Sequence, residues 1–395
     1  MEVKGSWNPE WQPLVNAFKE NFSFGEDGAA LCLNYQGNTV VDIWAGERRN
    51  RASDIEAAPW DENTLVNVFS ASKALVAVCV LQLVEQGLLD LDAPISHYWP
   101  EFTGNGKELI TTKMVLSHRS GLSAFHPVMK DDSIYNWAGI CKVLAVETPW
   151  WEPDTEQGYS PFIYGWILGE LVRRVSGAAS FNGYFQKNIA APLGISCHFG
   201  VPNSLQQNIA DTQPWRRPPE MAASVSGADS QALGRIMKAN PRGVTNRAFT
   251  NPLSLMTSTN STLWRDAQIP AAGGHMNARA LAAIYGDLAS VAPLLLKQEG
   301  LALATREVTF SEDNTLGLPL RFSAGFMLSQ ASRADCRYGR GERGFGHPGA
   351  GGSLGFADPD HHIGFGYVTQ RMGQSILIDE RAIRLINAAY QSLGV

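Results

Sequence analysis

Ser70 and Lys73 lie three residues apart in Val68-Phe69-Ser70-Ala71-Ser72-Lys73-Ala74, the only Ser-x-x-Lys in the chain. On a helix, residues three apart share a face, so the hydroxyl and the amine meet. A serine hydroxyl is a poor nucleophile until a nearby base takes its proton. A lysine amine is such a base only where burial or a neighbouring cation lowers its pKa. The chemistry on offer is therefore nucleophilic attack on a carbonyl. The spacing alone is weak support, because a serine N-cap followed by a surface lysine gives the same pattern. The surroundings distinguish the two. Lys73 is embedded in an apolar stretch, where an unpaired lysine is costly.

That stretch predicts a buried helix. From Ala71 to Gln86, residues Leu75, Val76, Val78, Cys79, Val80, Leu81, Leu83 and Val84 cover nearly every helical face, and Gly87 stands just past the end. The extended segment Leu65–Phe69 leads straight into Ser70. Upstream, an amphipathic helix is expected over about 8–22, and strands over Ala29–Tyr35 and Thr39–Ala45 flank the Gln36-Gly37-Asn38 turn. Residues 90–315 carry mainly helix signals, with helices at about 162–176 and 278–288. Gly165 and Gly169 in the first of these are suited to close packing. Alternation returns in Gly352–Ala357 and Ile363–Gln370, and a last helix covers about 379–393. The expected fold class is mixed α/β: an antiparallel sheet formed from both chain termini and flanked by helices, with an inserted, mostly helical lobe. The sheet lobe would take 1–68 plus 318–395 and the helical lobe 69–317, with a catalytic cleft between them.

Two further segments complete a resemblance. Glu152-Pro153-Asp154-Thr155-Glu156-Gln157-Gly158-Tyr159-Ser160-Pro161 resembles the Pro-Gly-Thr…Tyr-Ser-Asn stretch of class C β-lactamases and family VIII carboxylesterases. Phe345-Gly346-His347-Pro348-Gly349-Ala350-Gly351-Gly352 resembles their Lys-Thr-Gly or His-Thr-Gly strand. Leu116-Ser117-His118-Arg119-Ser120-Gly121-Leu122 is similar to a Leu-x-His-x-Ser-Gly-Leu segment of the same superfamily and implies scaffolding behind the cleft for His118. The motifs occur in the family's order and span most of the chain. The resemblance implies that Tyr159 shuttles a proton beside Ser70 and Lys73; Tyr164, the nearest rival, looks like a core-face residue. It also implies that the Ser70 and Ala350 amides bind an oxyanion, that Gly349 permits close backbone approach, and that His347 is a polar or cationic wall. His275 is a candidate for the pocket rim.

The pattern also departs from that of β-lactamases. Pro161 stands where the family has an Asn able to hold a β-lactam amide, and His347-Pro348 replaces the Lys-Thr pair that grips a carboxylate. Both changes favour the carboxylesterase branch, acting on a small-molecule ester through an acyl-enzyme. A β-lactamase or D-Ala-D-Ala-type peptidase, an acyltransferase sharing the first half-reaction, and a catalytically retired scaffold are the alternatives. Phe125, Trp150 and Trp151 would wall a pocket or simply pack the core.

Other classes fare worse. With a formal net charge of −6 and no basic stripe, nucleic acid is not an expected partner. No run is long and apolar enough to span a bilayer. The N-terminal residues lack a signal-peptide pattern, and the five cysteines are odd in number and widely spaced. A cytoplasmic protein with buried free thiols is expected. No zinc-type spacing and no cofactor motif in its required context is present, so neither metal nor cofactor is expected. Gly351-Gly352-Ser353-Leu354-Gly355 fits Gly-x-Ser-x-Gly, but a strand rather than a helix should follow, which excludes an α/β-hydrolase elbow. Gly339-Arg340-Gly341-Glu342-Arg343-Gly344 likewise lacks the helix that dinucleotide binding requires.

Overall fold

The hairpin at the start of the chain seeds the sheet. In the computed structural model, which describes residues 1–214 and 228–395, β1 (Lys4–Trp7) and a helix (Gln12–Ser23) precede β2 (Gly28–Tyr35) and β3 (Asn38–Asn50). Gln36 and Gly37 form the turn, with φ of 51° and 79°, matching the strand twist as two-residue hairpins require. β4 (Ile55–Pro59) folds back on β3. β5 (Leu65–Asn67) then runs into helix Ser72–Glu85, in which eleven of fourteen residues are buried, and Gly87 follows at φ 69°.

In the middle of the chain, β6 (Cys197–Phe199), β7 (Ile209–Ala210), β8 (Gln213–Pro214) and β9 (Gly274–Met276) appear between helices. A four-stranded sheet runs β6-β9-β5-β7. It was not foreseen from sequence because strands of two or three residues are too short for alternation to show. After them come β10 (Thr309–Glu312), β11 (Pro319–Phe322), β12 (Met327–Leu328), β13 (Phe345–Pro348), β14 (Leu354–Asp358), β15 (Ile363–Thr369), β16 (Arg371–Met372) and helix Glu380–Leu393.

The main sheet runs β1-β3-β2-β15-β14-β13-β12-β11-β10, with β4 on β3. Seven residue pairs, from Thr369↔Ala29 to Ile363↔Tyr35, join β15 to β2 and so join the two ends of the chain, as expected. One face packs Leu354, Phe356, Ile363, Phe365 and Tyr367 under helices Gln12–Ser23 and Glu380–Leu393. The other face alternates to glycine, which lets helix Ala278–Leu288 approach closely. A Cβ on Gly364 would lie 2.0 Å from Gly286 N, and one on Gly366 would lie 2.2 Å from Ala278 O. The layer around the sheet thus draws on Ala278–Leu288 and on β10, both within the segment assigned from sequence to the helical lobe. The glycine face and the edge strand β11 are what recruit them.

The second core surrounds helix Ser72–Glu85, which packs on helix Ile163–Ser176. All five cysteines are buried and free. Among the described residues no helix is long and apolar enough to cross a membrane. The Gly165 position brings helix Ile163–Ser176 onto the Ala271 backbone, where a Cβ would stand 2.2 Å from the Ala271 nitrogen. Gly165→Ala is therefore expected to cost about 1–3 kcal/mol, as overpacking usually does. Urea unfolding measures this, and an unchanged midpoint would show that the contact relaxes freely.

Candidate active site

The approach to Ser70 is a tight, strained turn. Val68 donates its N–H to Gly274 O (2.9 Å), and Ala71 donates back to Val68 O (3.2 Å). Between them Phe69 adopts φ 47°, left-handed for a bulky side chain. The expected extended segment therefore ends at Asn67, whose Oδ1 accepts the Phe69 N–H at 3.3 Å and turns the chain. Ser70 emerges half-buried at the mouth of helix Ser72–Glu85.

Lys73 lies one turn along and is fully buried. Its Nζ is 3.0 Å from Ser70 Oγ, 2.7 Å from Pro161 O and 3.1 Å from Ala271 O. Burial pushes its pKa well below the ordinary lysine value. A neutral amine has two N–H bonds and one lone pair. In that form the two carbonyls take the N–H bonds and leave the lone pair for the Ser70 hydroxyl, whereas a protonated Lys73 donates to Ser70 Oγ. Pro161 cannot offer the family's side-chain amide, yet its carbonyl is the shortest anchor of Lys73.

The Tyr159 ring centroid lies 4.8 Å from Lys73 Nζ. Burial raises the phenol's pKa, and a side-chain hydrogen bond with Ser70 opposes that rise. Tyr159 is held from behind. Its own N–H donates to Asp313 Oδ1 at 2.9 Å, and the Ser160 N–H donates to His118 Nδ1 at 3.1 Å. The His118 ring sits 4.7 Å from the Tyr159 ring and 5.1 Å from that of Tyr164, so His118 packs between the two phenols. Burial, and then the charge that Lys73 can carry, lower the His118 pKa and keep it neutral.

On the opposite side is β13. His347 Nδ1 is 2.8 Å from Pro348 O, an acceptor, so that nitrogen carries the proton and Nε2 keeps its lone pair, buried and without a hydrogen-bond partner among the described residues. Burial, and then Lys73, lower the His347 pKa to about 3. Of the two expected forms, a polar or a cationic wall, the burial favours the polar one, because an imidazolium would be desolvated here and no carboxylate among the described residues pairs with it. Beyond it, a Cβ on Gly349 would stand 2.1 Å from Val68 O, so the turn after β13 presses directly on the turn before Ser70. Gly349 N–H is bound to Ser353 O (2.7 Å) and Gly351 N–H to Ser375 O (3.3 Å), with half-exposed Ala350 between them. Ser353 itself leads into β14, not into a helix.

His275 is taken up elsewhere. It is buried in β9 opposite His198, with Nδ1 3.0 Å from Gly273 O. Burial, with the nearby Arg265 guanidinium adding to it, lowers its pKa to about 3. Phe125 packs near Trp166, Trp150 stacks on His126 at 4.1 Å, and Trp151 donates to Glu156 O at 3.2 Å. Each therefore has a structural role.

A family model described as Beta-lactamase matches residues 18–388. The chain belongs to the beta-lactamase family. It is 30% identical over 392 residues to the esterase/beta-lactamase LipL of Mycobacterium tuberculosis, covering 96% of this chain and 86% of LipL. It is similar to the crystal structure of a family VIII carboxylesterase, with a TM-score of 0.86, 33% identity, and 99% and 100% of the two chains covered. A penicillin-binding protein homologue from Caulobacter crescentus gives a TM-score of 0.85 and 31% identity over 99% and 100% of the two chains. This beta-lactamase-family chain is a serine hydrolase by fold.

Asp313 was not singled out from sequence. It is fully buried and accepts from the backbone N–H groups of Tyr159, Thr315 and Leu316 at 2.9–3.0 Å and from Gln157 Nε2 at 3.3 Å. Asp313→Ala strands these donors. Each buried unsatisfied group costs about 1–3 kcal/mol, so a marked fall in melting temperature is expected. Asp313→Asn, whose amide oxygen accepts from the same N–H groups, is expected to lose much less. Equal melting temperatures for the two variants would contradict this account.

Proposed function

We propose that the protein is a carboxylesterase that cleaves small, uncharged esters through an acyl-enzyme on Ser70. The observation that carries this reading is the buried amine of Lys73, held by two carbonyls and 3.0 Å from Ser70 Oγ. Lys73 takes the Ser70 proton as Oγ attacks the ester carbonyl. The Ser70 and Ala350 amides, on two turns in direct backbone contact, receive the tetrahedral oxyanion. Tyr159, kept as a phenol by burial, protonates the departing alcohol. The Lys73 ammonium returns its proton to Tyr159; a water deprotonated by the same pair then attacks the acyl-enzyme, and Ser70 Oγ regains that proton as the acid leaves. The sheet lobe supplies His347, Gly349 and Ala350, and the helical lobe supplies Ser70, Lys73 and Tyr159.

Two observations favour an ester over a β-lactam or a D-Ala-D-Ala-type peptide. A neutral His347 offers no cation for a substrate carboxylate, and Pro161 offers no side-chain amide. LipL carries both esterase and beta-lactamase in its name, so both substrates belong in the test. A short-chain p-nitrophenyl ester is expected to turn over quickly and a chromogenic cephalosporin slowly. The reverse ranking would overturn the ester assignment. Acyl transfer shares the first half-reaction and would show as diversion of the acyl group to an added alcohol.

Ser70→Ala is expected to lower kcat by several orders of magnitude, and Lys73→Ala or Tyr159→Phe each by about 10²–10⁴-fold. A Tyr159→Phe protein with near-normal kcat would remove that residue from the mechanism.

The pH dependence follows from the direction of the Lys73 shift. The base form is needed, and its pKa lies well below the usual lysine value. Activity is therefore expected at neutral pH, where an ordinary lysine is protonated, with a decline as pH falls through the depressed pKa. A kcat/KM profile that rises only near pH 10 would mean that Lys73 is charged at rest.

A further inference from the structure

The turn that carries Ala350 is flanked by glycines, so something outside it must hold its orientation. Gly349 and Gly351 bracket Ala350, and Gly351 adopts φ 86°. Glycine peptides rotate more freely than any others. Upstream, the turn is fixed by the contact of Gly349 with Val68 and by its bond to Ser353. Downstream, the Gly351 carbonyl accepts from Arg381 Nη2 at 2.6 Å and from Gly373 N at 2.8 Å.

Arg381 is fully committed to this task. Nη2 also reaches Asp379 Oδ2 (2.6 Å) and Arg371 O (3.0 Å), and Nε bonds Asp379 Oδ2 (3.0 Å). Nη1 bonds Glu26 Oε2 (2.7 Å) and Thr369 Oγ1 (3.2 Å). Glu26 Oε2 also accepts from Tyr367 OH (2.9 Å) and Thr369 Oγ1 (2.7 Å). All of these side chains are buried. The cluster leaves no room at the turn, since a Cβ on Gly352 would stand 2.6 Å from both Arg381 Nη2 and Asp379 Oδ2.

A buried ion cluster is weak evidence of stabilisation, because desolvation offsets much of the Coulombic gain. What a guanidinium does well is fix several acceptors in one plane. We propose that Arg381, aligned by Glu26 and Asp379, is a positioning residue for the oxyanion site: by holding the Gly351 carbonyl it keeps the Ala350 N–H directed into the cleft. This rests on the assignment of the Ser70 and Ala350 amides made above.

The test uses Arg381→Lys, whose point-like ammonium cannot span these acceptors, and the milder Thr369→Val, which removes one of Arg381's hydrogen-bond partners and one of Glu26's. Two readouts are followed beside the melting temperature. These are kcat and KM for p-nitrophenyl butyrate, and the affinity for an alkylboronic acid that forms a tetrahedral adduct on Ser70. For Arg381→Lys, kcat is expected to fall about 10–100-fold with KM within about threefold of wild type, since small misplacements cost rate more than ground-state binding. Boronate affinity is expected to fall with kcat, and Thr369→Val to shift both in the same direction by less. If kcat and boronate affinity keep their wild-type values while the melting temperature drops, the cluster is a structural clamp only and the proposal fails. If the unmodified protein shows no Ser70-dependent ester turnover, the ester assignment fails first and takes this one with it.

Discussion

Everything in the site depends on a lysine buried without a carboxylate. Among the described residues, the groups hydrogen-bonded to Lys73 Nζ are a hydroxyl and two peptide carbonyls. An acidic partner would have stabilised the ammonium and raised its pKa, leaving no base for the proposed deprotonation of Ser70. Carbonyls orient the amine with dipoles instead of a full charge. The arrangement costs stability. Below the ordinary lysine pKa the unfolded chain holds a proton that folded Lys73 does not, so stability rises with pH between the depressed pKa and the usual one. Function and stability therefore pull in opposite directions at this residue.

Holding that amine takes three segments far apart in the chain. Helix Ser72–Glu85 supplies Lys73, the residues before helix Ile163–Ser176 supply the Pro161 carbonyl, and the loop before β9 supplies that of Ala271. The absent side chain at Gly165 lets the second segment meet the third. Ser72 ties the first to the third, its Oγ accepting the Gly274 N–H at 3.1 Å. Packing of the helical core and electrostatics of the site are thus one problem solved by the same contacts.

Much of this was legible in the sequence, for reasons that differ from element to element. The buried helix around Lys73 could be read because a helix apolar on every side is stable only when protein surrounds it. The sheet joining the two chain ends followed from alternation there. Tyr159, His347, Gly349 and Ala350 came from resemblance, since nothing in their local spacing says which lysine or serine they face. Other features could not be read at all. Asp313 matters through contacts with Tyr159 and Gln157, more than 150 positions upstream. The use of Pro161 lies in its carbonyl, which every residue type has. His347 could be a cation or a neutral ring until its burial was known, and burial is a property of the fold. Phe69 in a left-handed conformation goes against residue preference and appears only once the turn is built.

The distribution of charge has a mechanistic meaning. Lys73, Tyr159, His118 and His347 are all pressed by burial toward their neutral forms, so the resting cleft carries little charge of its own. Asp313 and the Glu26–Arg381–Asp379 cluster stand one layer back and grip backbone atoms. In the proposed reaction, proton transfer from Ser70 to Lys73 and attack on the ester create an ammonium and an oxyanion together in surroundings of low polarity. There each oriented N–H dipole is worth far more than in water. A permanent cation beside the oxyanion would help that step, but it would also hold Lys73 still further toward the neutral form and select for anionic substrates. With neutral walls, what stabilises the transition state is the aim of two peptide groups, and that aim is set by the layer behind them.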